Sequence, residues 1–297
     1  MAAVLHLTAP AKLNLGLSVL GLRPDGYHDL LSVLQTISWA DTLTLAPADV
    51  GIRLTCSRAD LPSGPENVVW RAAELVRTTH GLSCGVEIHV EKRIPAGAGL
   101  GGGSSDAAAT MRGLARLWNI EVGDEEWLKL CAQVGSDVPF FWYGGTAIVE
   151  GRGERVTPLP KQEPLVFLVA VPEVRVSTPW AYRQLVPPFA DARAFQDRVE
   201  ALRNGHVALS EFCRVLTNDF QPLVERHFPV VRETREALLN AGATSALMSG
   251  SGSAVFGVFE DRRSADHALA ALQPGLTAVV TTSASAEIDP AGKTDSR

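Results

Sequence analysis

Between Lys12 and Leu20 apolar and polar positions alternate. Leu13, Leu15, Leu17 and Val19 fall on one side, and Lys12, Asn14, Gly16 and Ser18 on the other. Period two sustained over this length predicts a strand. At the ordinary strand rise it sets Lys12 and Asn14 side by side on one face, about 7 Å apart. A turn follows at Arg23-Pro24-Asp25-Gly26, leading into Tyr27 and His28. The pattern then predicts strands at 36–46 and 51–57, a helix from Asn67 to Thr79, and a strand at 86–93. In that last strand Val86, Ile88 and Val90 alternate with Glu87, His89 and Glu91. Helices are predicted at 105–118 and 124–134. The segment Gly135-Ser136-Asp137-Val138-Pro139 breaks the second of these, and a strand covers 146–150.

Pro158, Pro160 and Pro164 mark a boundary. It divides the chain into an N-terminal unit, 1–160, and a C-terminal unit, 161–297. Beyond it the reading is strand 165–171, several helices between 179 and 241, strands 245–249 and 253–259, helix 262–272 and strand 277–283. With the helices pooled this is β-α-β-β-α-β, the ferredoxin-like order. The whole is an α+β chain, and 289–297 reads as a frayed tail.

Between the strand at 86–93 and the next helix lies Pro95-Ala96-Gly97-Ala98-Gly99-Leu100-Gly101-Gly102-Gly103-Ser104-Ser105. Glycines let backbone N–H groups approach a ligand closely. A helix N-terminus adds unpaired donors and a partial positive charge. Ser104 and Ser105 can cap that helix or offer hydroxyls to the same ligand. The stretch is therefore a phosphate cradle, and a flexible turn before a helix is its plain alternative. A Walker-A loop would need lysine where Gly103 stands. The GxGxxG spacing of Gly97, Gly99 and Gly102 also invites a dinucleotide fold, but the half-polar strand before it is unlike the doubly buried first strand of that fold.

Charge narrows the ligand classes. The net charge is −6, which argues against nucleic acid and anionic membranes as partners and leaves a local cradle to hold any anion. Cys56, Cys84, Cys131 and Cys213 show no metal spacing and read as reduced thiols of a cytoplasmic protein. The apolar N-terminal stretch lacks a basic leader and is interrupted by Lys12, unlike a signal peptide.

Phosphoryl transfer needs a cradle, a cation, a group that orients or deprotonates the acceptor, and usually a metal. The loop lacks its own cation, so Lys12 is the candidate; a lysine snorkelling from a strand edge is the alternative. Asp137 is the candidate for the acceptor, against an aspartate that merely turns the chain. Mg²⁺ is expected on charge grounds, although no dedicated ligand pair can be read.

The segments PAKLNLGL at 10–17, RPDGYHDL at 23–30, PAGAGLGGGSSDAA at 95–108, GSDVPFF at 135–141 and SGSGSAVF at 249–256 together resemble the GHMP kinase superfamily over nearly the whole chain. Within it they are most similar to the branch whose acceptor is a cytidine-diphosphate methylerythritol, in the non-mevalonate isoprenoid route. The resemblance implies a two-domain fold, ribosomal-protein-S5-like in its N-terminal half and ferredoxin-like in its C-terminal half. It implies ATP as co-substrate and a site in the cleft between the halves. It makes Lys12 and Asp137 the catalytic pair and gives the ATP phosphates to the backbone of 95–105. Asn67 would lie beside adenine and Asn14 would touch the methylerythritol. Tyr27 and Tyr182 would sandwich the cytosine while His28 reads its edge. Gly250 and Ser251 would form a second glycine turn near the reacting centre, where a plain hairpin turn is the alternative. The rivals are a GHMP kinase for mevalonate, homoserine or a sugar, and a nucleotide-binding protein without catalysis. The chain is expected to be a monomer or homodimer.

Overall fold

The computed structural model describes residues 4–185, 191–272 and 275–284; the expected tail at 289–297 lies outside them. Strand β1 (Leu5–Leu22) runs antiparallel to the long strand β2 (His28–Ala48). On its other edge β2 pairs with β4 (Gly85–Glu91) through its second half and with β5 (Thr146–Gly151) through its first. β3 (Ile52–Cys56) lies parallel to β4, and β6 (Arg155–Pro158) closes the far edge of this six-stranded sheet. Helices α1 (Val68–Thr79), α2 (Gly102–Leu117), α3 (Asp124–Val134) and α4 (Val138–Tyr143) cover one face.

A four-stranded sheet follows, built from β7 (Val166–Val171), β8 (Ser245–Met248), β9 (Val255–Phe259) and β10 (Thr277–Thr282), in the order β10-β7-β9-β8. Helices α5 (Thr178–Gln184), α6 (Arg193–Arg203), α7 (Leu209–Phe212), α8 (Gln221–His227) and α9 (Pro229–Asn240) lie between β7 and β8, and α10 (Arg262–Ala271) between β9 and β10. This is the ferredoxin-like order expected from the sequence.

The strands of the second sheet separate two cores by simple alternation. Phe167 and Val169 face a middle core shared with Leu13, Leu15, Leu31, Val33 and Ile148 of the first sheet. Leu168 faces the other way, onto Val224, Val231, Leu238 and Ala265 of α8, α9 and α10. Backbone bonds stitch the halves together at both ends, Leu17 N donating to Thr217 O at 2.9 Å and Ala284 N to Thr36 O at 2.8 Å.

Several elements depart from the sequence expectation. β2 begins at His28 rather than 36, because Leu30–Gln35 is buried on both faces and lacks the alternation that marks a half-exposed strand. β1 likewise buries both faces from Ala11 to Val19, with register shifts between Pro10 and Lys12 and between Asn14 and Gly16. The break expected at 135–139 runs straight into α4, whose Pro139 is accommodated in the first turn. β6 was not expected. α2 starts at Gly102, three residues before 105, and neither serine caps it. Its N-cap is Gly101, at φ +70°, with no side-chain bond to the helix.

Candidate active site

One cavity of about 980 Å³ opens between the halves. It is lined by Lys12, Asn14, Tyr27, His28, Asn67, every residue from Pro95 to Ser104, Asp137, Tyr182, Gly250 and Ser251. At this volume it stands at the top of the range for small-molecule pockets.

The phosphate loop is fixed by its neighbours. Lys12 N donates to Leu100 O at 2.9 Å, tying the loop to β1. Ala254 N donates to Ala98 O at 3.0 Å and Ser249 Oγ to Gly99 O at 3.0 Å, tying it to the turn between β8 and β9. Gly101 takes the left-handed conformation that starts α2. A Cβ there would lie 2.8 Å from Phe141 Cζ and 3.0 Å from Lys12 Cγ. The N-terminus of α2 thus points its unpaired N–H groups at the cavity, as an anion site requires. Ser104 lines the cavity. Ser105 does not: it is fully buried behind the loop, its hydroxyl without a partner. Of the residues expected to meet phosphate, Ser105 is the correction. Helical periodicity turns it inward, about 100° from Ser104.

Lys12 is 4 % exposed and Asn14 5 %. The Lys12 ammonium donates to Asn14 Oδ1, whose amide in turn donates to Ser32 Oγ at 2.9 Å. Burial pushes the Lys12 ammonium down from its ordinary value, and the negative charge of Asp137 acts against that. Asp137 is half-buried at the head of α4 and makes no side-chain capping bond to it. A Cβ on Gly250 would lie 3.2 Å from Asn14 Oδ1 and 3.3 Å from Lys12 Nζ, so the second glycine turn closes over the same pair. Ser251 Oγ shares a hydrogen bond of 2.7 Å with Thr178 Oγ1.

At another part of the cavity wall, the His28 and Tyr182 rings meet at 5.1 Å and 40°. Tyr182 is packed edge-on to Phe220 at 4.7 Å, and burial raises its phenol. Tyr27 is 55 % exposed, and the Arg152 guanidinium lies over its ring at 4.8 Å. Asn67 lines the cavity, but its amide is committed: Oδ1 accepts Val69 N at 2.9 Å as the cap of α1, and Nδ2 donates to Pro62 O at 2.7 Å. One N–H of its amide remains beyond these two bonds.

Sequence reasoning missed Arg152, Ser249 and Lys92. Arg152 stands between Gly151 and Gly153, a turn that displays a cation, and that was the available signal. Ser249 was hidden by the more conspicuous glycines after it. Lys92 carries no local signal beyond its place just after β4.

Comparison with known proteins decides the class. The family model described as GHMP kinases N terminal domain matches residues 67–145, and that described as GHMP kinases C terminal matches 199–275. A 4-diphosphocytidyl-2-C-methyl-D-erythritol kinase of Salinibacter ruber is 45% identical over 272 residues, covering 90% of this chain and 94% of its own. The chain belongs to the GHMP kinases. The kinase of the same description from Citrifermentans bemidjiense is 42% identical over 267 residues, covering 90% of this GHMP kinase and 93% of its own chain. A crystal structure of 4-(cytidine 5'-diphospho)-2C-methyl-D-erythritol kinase superposes with TM-score 0.77 at 38% identity, over 94% of this chain and 100% of that one. A homoserine kinase from Cytophaga hutchinsonii reaches the same TM-score at 22% identity and so shares the fold. This GHMP kinase is an α+β enzyme, and among its described residues no helix is long and apolar enough to cross a membrane.

Proposed function

We propose that the enzyme transfers the γ-phosphate of ATP to the 2-hydroxyl of 4-diphosphocytidyl-2-C-methyl-D-erythritol, giving the 2-phosphate and ADP. The observation that carries this reading is the aromatic wall of Tyr27, His28 and Tyr182 in the same cavity as the glycine loop and the Lys12–Asp137 pair. Acceptors without a nucleobase would leave that wall without work. The N-terminal unit, 1–160, carries the nucleotide site and the C-terminal unit, 161–297, completes the acceptor cleft.

In this mechanism the loop backbone from Pro95 to Ser104 and the start of α2 hold the triphosphate. Asn14 fixes the Lys12 ammonium by accepting a hydrogen bond from it, so the charge stays aimed at the reacting centre. Asp137 orients the acceptor hydroxyl. The new O–P bond forms as the β,γ-bridging O–P bond breaks, and the hydroxyl proton passes to Asp137. A loose, metaphosphate-like transition state demands little proton removal until late, so a carboxylate suffices as acceptor. Lys12 offsets the negative charge gathered at the transferring oxygens.

Mg²⁺ fits this donor set as a passenger of the nucleotide. Among the described residues no group of three or more His, Cys, Asp or Glu could hold a metal. Magnesium keeps several waters and is commonly held by substrate phosphates, so it would enter with the triphosphate held by the loop at 95–104. Bound in that way, the ion would neutralise part of the phosphate charge. The enzyme acts in the cytoplasm on small molecules, as a monomer or homodimer, without nucleic acid.

The test is ADP release with purified enzyme, ATP and Mg²⁺ against cytidine-diphosphate methylerythritol, methylerythritol phosphate, mevalonate, homoserine and galactose. Turnover confined to the cytidine compound is expected. Turnover with another acceptor alone would overturn the substrate and leave the family intact.

A further inference from the structure

Beneath the phosphate loop lies a buried charged cluster that the mechanism above does not use. Lys92, between β4 and the loop, donates to Asp106 Oδ2 at 2.7 Å and to Asp41 Oδ2. The three side chains are 6 %, 4 % and 0 % exposed in that order. Asp41 comes from β2, and Asp106 from the first turns of α2, the helix that the loop itself begins. A Cβ on Gly102 would lie 3.3 Å from Lys92 Nζ, so the ammonium rests against the backbone at the head of α2. Lys92 and Asp106 both reach the cavity wall.

One ammonium and two carboxylates leave a net negative charge under a cradle meant for a polyanion. The two carboxylates are not equivalent. Asp41 also accepts the backbone N–H groups of Arg93 and Ile94. Asp106 has only Lys92, and its Oδ1 is buried without a partner. A carboxylate with more donors holds its charge better, so a proton entering the cluster belongs on Asp106. The neutral acid would have Asp41 within hydrogen-bonding reach.

We propose that Asp106 is a proton-linked positioning residue of the nucleotide site: it takes up a proton as the polyphosphate docks on the loop above it. The cluster then turns from net negative to neutral, and the head of α2 faces the phosphates without an opposing charge. Burial already pushes the Asp106 carboxyl up to about 7, with Lys92 holding it down and Asp41 pushing it further up. The other charged groups on elements packed around α2 are engaged elsewhere or lie across the cavity. Lys12 on β1 is bonded to Asn14, Glu74 on α1 to Arg77, and Arg112 of α2 itself to Phe141 O. Arg71 on α1 and Asp137 before α4 line the cavity wall.

The proposal rests on the reading of the loop as the ATP site, and the experiment separates the two. MgATP binding is measured by calorimetry at pH 8, in two buffers of different ionisation enthalpy. At that pH the nucleotide's own terminal phosphate is already ionised. If docking raises the Asp106 carboxyl by one unit, linkage gives uptake of about 0.4 proton per site. Asp106→Asn should bind MgATP with no uptake. The ratio of its affinity to that of the unaltered enzyme should rise about eightfold between pH 6 and pH 9. A merely structural aspartate would leave that ratio flat. Binding by the unaltered enzyme without uptake, or equal uptake by Asp106→Asn, overturns the proposal. Should the asparagine variant not fold, Asp106→Ser takes its place, and the unaltered enzyme's uptake is decisive by itself when it is zero. Absence of MgATP binding to the unaltered enzyme overturns instead the assignment of the loop.

Discussion

Gly99 is where the two glycine-rich segments meet, and Gly99→Ala tests whether that junction sets the catalytic geometry. The residue sits at φ +80°, and an added Cβ would lie 2.2 Å from Ser249 O and 3.2 Å from Gly252 O. Side chains at such φ cost roughly 1–2 kcal/mol. A Cβ packs no closer than about 3 Å to a backbone oxygen, so the turn after β8 must retreat by close to an ångström or the loop must twist away. Overpacking of this kind adds roughly 1–3 kcal/mol. The sum, about 2–5 kcal/mol, corresponds to a fall in Tm of at least about 3 °C for a chain of this size. The larger effect should be catalytic. Ser249 Oγ bonds Gly99 O, and Gly250 packs against both Asn14 Oδ1 and Lys12 Nζ. A displacement of the turn therefore reaches the lysine, and a 1 Å misplacement can cost about 10² in rate. Gly97→Ala is the matched control. Its φ is +71°, but a Cβ there meets nothing within 4 Å, so it carries the strain without the clash. Steady-state kcat and KM for ATP, with melting curves for both variants, complete the comparison. If Gly99→Ala keeps kcat within a factor of two of Gly97→Ala, the contact between the two turns does not position Lys12.

Asp137→Asn should lower kcat by on the order of 10² or more with little change in ATP affinity, and near-normal turnover would remove Asp137 from the mechanism. Tyr182→Ala should weaken acceptor binding by roughly 1–3 kcal/mol, as for bases stacked on aromatics, while Tyr182→Phe retains binding; an unchanged acceptor KM in the alanine variant would refute stacking there. Arg152→Ala should raise the acceptor KM a few-fold and leave KM for ATP alone, because the guanidinium holds the exposed Tyr27 ring; equal effects on both would point to a general folding defect. For stability, Asp106 has a folded value near 7, above the unfolded carboxylate value, so the folded state binds more protons between about pH 4 and 7. Stability from this group is greatest below that window and is lost as pH rises through it. The stability of Asp106→Asn relative to the unaltered enzyme should therefore increase from pH 5 to pH 8 in urea melts, and a constant difference would contradict the sign.

What could be read from the sequence followed from how exposed each element is. Strands with one wet face, such as β4, announced themselves by alternation. The ferredoxin-like order was legible because proline and glycine punctuate it. β2 was half lost, since burial on both faces erases the period, and α4 was missed because six residues are too few to show one. At the site, chemistry carried by motif was legible: the glycine loop, Lys12, Asp137 and the tyrosines all line one cavity. Contacts made only by folding were not. Nothing local in the sequence says that Ser105 turns inward, that Asn67 is committed to capping α1, or that Lys92 meets Asp41 and Asp106 across 51 and 14 residues.

The middle core has a consequence for how this enzyme can change over evolutionary time. Phe167, Val169 and Phe256 on one sheet and Leu13, Leu15 and Ile148 on the other are wrapped in each other's side chains. This middle interior belongs to neither half alone, and a chain severed at the junction would bare an oily face on each piece. Whole halves therefore cannot be exchanged between relatives as cassettes without re-cutting dozens of interlocking side chains. New acceptors must be acquired by point changes along the rim of the cleft, at positions such as Tyr27 and Arg152, where the scaffold does not object.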